Sequence, residues 1–190
     1  MLAEQIDAKI RDVSNELLRL GTGPLAELRR MRSGDVGPPA YWRIATKCDL
    51  APAEADCWMR IVKIMAILAP KGERDALPRV HGTHPLGRAL CDGGDPGWKP
   101  DNPLDPRGVF SEERLNRLTL APPGLRAEAL ERVSRVLARS RPPQTGINCA
   151  EFARLILSPD DPAPMRQLAY DYFVRLDRTK KSEPTKEGTA

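Results

Sequence analysis

His81 and His84, followed by Cys91, come nearest in this chain to the spacing of a metal site. Three ligands of these types could hold zinc, but no fourth lies at a matching distance, and Gly82, Pro85 and Gly87 break the segment. The two histidines are therefore read as surface-loop residues. Cys48, Cys57, Cys91 and Cys149 are separated by 9, 34 and 58 residues, which leaves no CxxC pair and points to reduced, mostly buried thiols. Asp160 and Asp161 stand directly before Pro162, where adjacent carboxylates serve as a helix cap. The chain has no phosphate-cradling GxxxxGK[ST] loop, no GxGxxG after a strand, no HExxH and no GxSxG. These residues predict no cofactor, no metal and no catalytic set, and hence a binding protein.

The side chains that could recognise a ligand are arginines, which number 22 among the 30 basic residues. A planar guanidinium with forked donors suits phosphate oxygens. Arg29, Arg30 and Arg32 lie beside an apolar stripe, and Arg132, Arg135 and Arg139 fall within about 60° of one another on a helical wheel. A solvated face laced with Glu–Arg pairs is the plainer reading, and Glu128 stands one turn before Arg132 to supply one. Charge is nevertheless concentrated: residues 111–141 hold seven basic and four acidic side chains, whereas 142–190 hold seven of each. A local excess of this kind is what a phosphate footprint needs.

The elements that must carry these arginines are helical. The 22 Leu and 21 Ala stand against 8 Val and 8 Ile, favouring unbranched side chains that lose little freedom in a helix. Apolar positions spaced by three and four predict helices over 2–20, from Pro24, over 52–69 and from Leu125 to Ser140. Ser111 before Glu112 and Glu113, Asn148 before Glu151, and Asp161-Pro162 mark further helix starts. Residues 92–108 contain four Pro and four Gly, which predicts a surface linker. The expected organisation is all-α, with an N-terminal bundle over 1–92, a linker over 93–110, a C-terminal bundle over 111–178 and a disordered, charged tail over 179–190. No run of about 20 apolar residues exists to span a bilayer, and residues 1–20 lack a signal-peptide apolar stretch, so a cytoplasmic protein is expected.

The order of motifs resembles the small subunit of the type I-E CRISPR Cascade complex, the CasB family. The resemblance is carried by Gly23-Pro24-Leu25-Ala26-Glu27-Leu28-Arg29-Arg30-Met31, by Pro39-Ala40-Tyr41-Trp42-Arg43, and by His84-Pro85-Leu86-Gly87-Arg88-Ala89-Leu90. Ser111-Glu112-Glu113-Arg114 and the terminal Leu168-Ala169-Tyr170-Asp171-Tyr172-Phe173 extend it over roughly residues 2–176. A tryptophan common at the start of the family's penultimate helix is replaced here by the Asn148-Cys149 region, and the 92–108 insertion is longer than in the family.

The resemblance implies a non-enzymatic subunit of two small helical bundles packed together, present beside a second copy of itself in a guide-RNA ribonucleoprotein of antiviral defence. Its implied partners are the guide-backbone subunits, the large subunit, the guide RNA and the target DNA, including the displaced strand. Carried over by position, Arg29, Arg30, Arg88, Arg114 and Arg132 would contact nucleic-acid backbone, with Arg166 as a further candidate. Arg135 and Arg139 join them from the wheel argument alone. Two other classes remain open: a stand-alone helical DNA-binding regulator, and a helical adaptor whose arginines meet acidic proteins.

Overall fold

A computed structural model describes residues 3–32, 34–70, 79–102 and 104–180. Nine α-helices account for most of them: α1 (Ala3–Arg19), α2 (Thr22–Arg30), α3 (Pro39–Lys47), α4 (Ala55–Leu68), α5 (Leu86–Asp92), α6 (Glu112–Thr119), α7 (Pro123–Ser140), α8 (Cys149–Leu157) and α9 (Ala163–Lys180). The fold is all-α, with one short strand, β1 (His81–His84), between α4 and α5. Helix starts follow local chemistry. The Ser111 hydroxyl accepts from the Arg114 main-chain N–H, the Asn148 side chain accepts from that of Ala150, and Asp161 from that of Ala163 at 2.9 Å. α5 ends on Gly93 in the left-handed region, at φ 68°.

α4 is buried on most sides, through Trp58, Ile61, Val62, Ile64, Met65 and Leu68. It packs along α7, while α1 packs on α8 and α5 on α9. Helices from 1–92 and from 111–178 thus contribute to one continuous core, and the 93–110 segment does not divide two separate ones. That segment is also anchored more firmly than a surface linker. Its return strand pairs with the end of α5, Val109 N–H donating to the Cys91 carbonyl at 2.8 Å and Phe110 N–H to that of Leu90 at 2.9 Å. The Tyr172 hydroxyl donates to the Phe110 carbonyl at 2.8 Å, which holds the segment against α9. Lys99, Asp101, Asn102, Leu104, Asp105 and Arg107 are exposed on its outer part.

His81 and His84 are not surface-loop residues. They begin and end β1, which runs parallel to the chain at Ile147, and both rings are half-buried. His81 Nδ1 accepts from the Cys149 main-chain N–H at 3.2 Å, and burial holds its pKa below the usual histidine value. His84 Nε2 lies 3.0 Å from the carboxylate of Asp92, whose side chain is wholly buried and also accepts from Arg175 Nε at 2.9 Å. Glu151 takes a longer-range role than a capping box: one carboxylate oxygen accepts from the Asn148 amide, the other from the Leu86 main-chain N–H at 2.8 Å. α9 runs through Lys180, so it includes the first two residues of the expected tail, while 181–190 lie outside the described residues.

Candidate nucleic-acid interface

α7 is the element on which most of the candidate side chains meet. Pro122 is extended and Pro123 occupies the first helical position, where its missing N–H costs nothing. Leu130, Val133, Ser134 and Leu137 turn inward. Arg132, Arg135 and Arg139 are left on the exposed side.

Depressions flank that side. Between α6 and α7 runs a groove of about 840 Å³, with Phe110, Leu118, Leu120, Leu125, Val133 and Val136 on its floor. Four arginines border it, Arg114, Arg117, Arg132 and Arg139, and no carboxylate lines it. Among the described residues, the guanidiniums of Arg114, Arg132 and Arg139 make no ion pair or hydrogen bond within the chain. Arg117 pairs with Glu113 one turn before it. The Glu128–Arg132 pair expected from spacing is not formed, and the paired residues on this helix are Glu131 and Arg135.

A second depression, of about 480 Å³, lies where α4 ends against α7, and Arg29, Arg135, Arg139 and Arg141 line it. Its described lining also holds no carboxylate, but all its cations except Arg139 are engaged. Arg29 donates from Nε to the Ala66 carbonyl at 2.8 Å and from Nη2 to that of Ala69 at 2.9 Å, so it closes the C-terminal end of α4. Arg29 is therefore a structural residue, contrary to the sequence expectation. Arg135 is paired with Glu131, which also receives Lys63 at 3.0 Å, so one carboxylate is shared between two cations. Arg141, 9% exposed, donates to the carbonyls of Leu68, Arg79 and Thr145, and burial pushes its pKa down. A third depression, between α4 and α7, mixes Arg32, Arg60, Lys63, Arg132 and Arg135 with Asp56, Glu128 and Glu131, so its cations stand among carboxylates.

Of the eight arginines picked from sequence, the α6–α7 groove brings together Arg114, Arg132 and Arg139. Arg29 and Arg135 sit on the other flank of α7, already used. Arg30 on α2 and Arg166 on α9 are exposed and line none of these depressions. Arg88 on α5 is half-buried and lines a separate depression beside β1. Sequence reasoning missed Arg117, whose spacing from Arg114 would have found it, and Arg141, whose burial no local signal announces.

The thiols of Cys91 and Cys149 are buried and pushed up to about 12, and that of Cys48 to about 11, each by desolvation. Among the described residues no group of three or more His, Cys, Asp or Glu side chains is arranged to hold a metal, and no helix is long and apolar enough to cross a membrane. No family model matches the chain, and no curated protein or solved structure matches it significantly.

Proposed function

We propose that the protein is a non-catalytic subunit that binds nucleic-acid backbone without reading sequence, and that it acts as the small subunit of a type I-E CRISPR surveillance ribonucleoprotein in the cytoplasm. The α6–α7 groove supports the first part of this reading: three guanidiniums without partners among the described residues line it, and none of its described lining residues is a carboxylate. Arginines fixed on helices contact phosphates, which position a nucleic acid without identifying its bases. The second part rests on the motif order. In such a complex guide pairing reads the sequence, and R-loop formation is so nearly balanced that a few backbone contacts shift it. The partners are then the guide-backbone and large subunits, a second copy of the chain, the guide RNA and the target DNA with its displaced strand.

Binding of mixed-sequence single-stranded DNA, measured across a salt series, tests the interface. Each phosphate contact contributes about 0.7 to the salt slope on a single strand. Reversing Arg114, Arg132 and Arg139 to Glu should flatten the slope by about 2 with the circular dichroism spectrum unchanged. An unchanged slope and affinity would remove the groove from the interface. For the assembly, a complex lacking this subunit should retain its guide RNA yet lose completed R-loops faster on linear DNA, and equal lifetimes would reduce the subunit to a spacer. A second reading, a helical adaptor for an acidic protein segment, is favoured by the apolar floor, where Leu120 is 73% and Leu125 55% exposed. Under it, the uncharged changes Leu120→Ser with Leu125→Ser abolish capture of an acidic amphipathic peptide and leave DNA binding intact.

A further inference from the structure

A second basic depression lies apart from α7, bounded by β1, the turn at 143–146 and the start of α5. It encloses about 370 Å³, and Arg79, Thr83, His84, Arg88 and Gln144 line it. Its wall is built by two glycines. A Cβ on Gly82 would stand 2.6 Å from the Gly146 carbonyl oxygen, and one on Gly146 would stand 2.5 Å from that of His81. The two main chains therefore approach more closely than side chains allow. None of its described lining residues is a carboxylate. Asp92, behind the His84 ring, is already matched by Arg175 Nε at 2.9 Å and by the Gly94 main-chain N–H at 2.9 Å.

What is left uncompensated is a pair of guanidiniums. Neither the Arg79 nor the Arg88 side chain makes an ion pair or hydrogen bond among the described residues, and Arg88 Nε is buried with no acceptor. That nitrogen is covered by the protein itself, as are the Nε atoms of Arg126, Arg141 and Arg154, so the terminal nitrogens of Arg88 are what a ligand would meet.

We propose that this depression binds a phosphate monoester. A terminal phosphate carries about −1.5 to −2 charge at neutral pH and three acceptor oxygens, matching two cations that lack partners. The Thr83 hydroxyl and the Gln144 amide add neutral donors beside the terminal nitrogens of Arg79 and Arg88. A backbone phosphodiester, with one charge and two ester substituents, would leave one guanidinium unanswered. The same dianion is presented by a mononucleotide and by the phosphorylated end of an oligonucleotide. The proposal is independent of the α6–α7 groove and shares no residue with it.

Calorimetry on the full chain with adenosine 5′-monophosphate, adenosine, inorganic phosphate, and one trinucleotide with either a 5′-phosphate or a 5′-hydroxyl tests this. The phosphorylated probes should bind about tenfold tighter than their hydroxyl counterparts. Arg79→Gln, on an exposed side chain, and Arg88→Gln should each remove most of that difference. Binding by the mononucleotide and inorganic phosphate assigns the site to small phosphates, and binding by the phosphorylated trinucleotide alone assigns it to a chain end. Equal affinity with and without the phosphate overturns the proposal, as does a preference that survives in both variants. The Arg114, Arg132 and Arg139 charge reversal should leave the preference untouched, so failure here and failure of the groove are told apart.

Discussion

Truncating Arg29 leaves the carbonyls of Ala66 and Ala69 at the end of α4 without their donors. Hydrogen bonds to a charged group are worth about 1.5–3 kcal/mol each, so Arg29→Ala, which removes two, should lower the free energy of unfolding by about 3 kcal/mol or more. Arg132, exposed and unpaired, should tolerate the same change within about 0.5 kcal/mol. Urea unfolding of the two variants measures the contrast, and equal losses would mean that Arg29 is not holding α4. In sequence the two arginines are alike, each on the polar flank of an amphipathic helix. What separates them is a partner 37 and 40 residues away along the chain, which no spacing rule can see. Arg135 differs, because its partner Glu131 stands one turn before it at a spacing the sequence shows. The wheel placed it correctly beside Arg132 and Arg139, but not the second contact that Glu131 makes with Lys63 across to α4.

Between α5 and α9 the decisive residue is Gly87. A Cβ there would meet the Leu168 carbonyl oxygen at 2.1 Å, so the glycine that interrupts the Leu86-Gly87-Arg88 sequence is the point of closest approach of two helices. Gly87→Ala forces them apart and should cost about 1–3 kcal/mol. Gly124, in the first turn of α7 with nothing within 4 Å of its added Cβ, should instead gain about 0.4–1 kcal/mol on the same change. Thermal unfolding of the pair gives opposite shifts in Tm, and a stabilised Gly87→Ala protein would contradict the packing described. Elements were legible where their causes are local. Ser111, Asn148 and Asp161 cap the helices assigned to them because a cap bonds within three residues. β1 was not legible, since His-Gly-Thr-His has no apolar alternation and its pairing partner, Ile147, lies more than 60 residues on.

At the scale of the whole molecule, a formal net charge of +4 understates how basic the surroundings of α7 are, because two depressions beside it each carry four arginines and no carboxylate among their described lining residues. The sequence localised that excess to 111–141 but could not say that α7 lies against α4. It therefore suggested two bundles where the helices of both halves share a core. That sharing, combined with a 93–110 excursion that leaves α5 and returns to it, has a practical consequence. Arg107 is exposed on the outer part, and trypsin cutting after it would sever the chain where almost nothing of the core is lost. Each fragment then holds one member of three main helix pairs: α1, α4 and α5 on one side, α8, α7 and α9 on the other. The nicked protein should elute from gel filtration as one species and fall into two only in denaturant. Halves expressed separately should complement each other, making the excursion a place to divide the protein into pieces whose meeting can be put under experimental control.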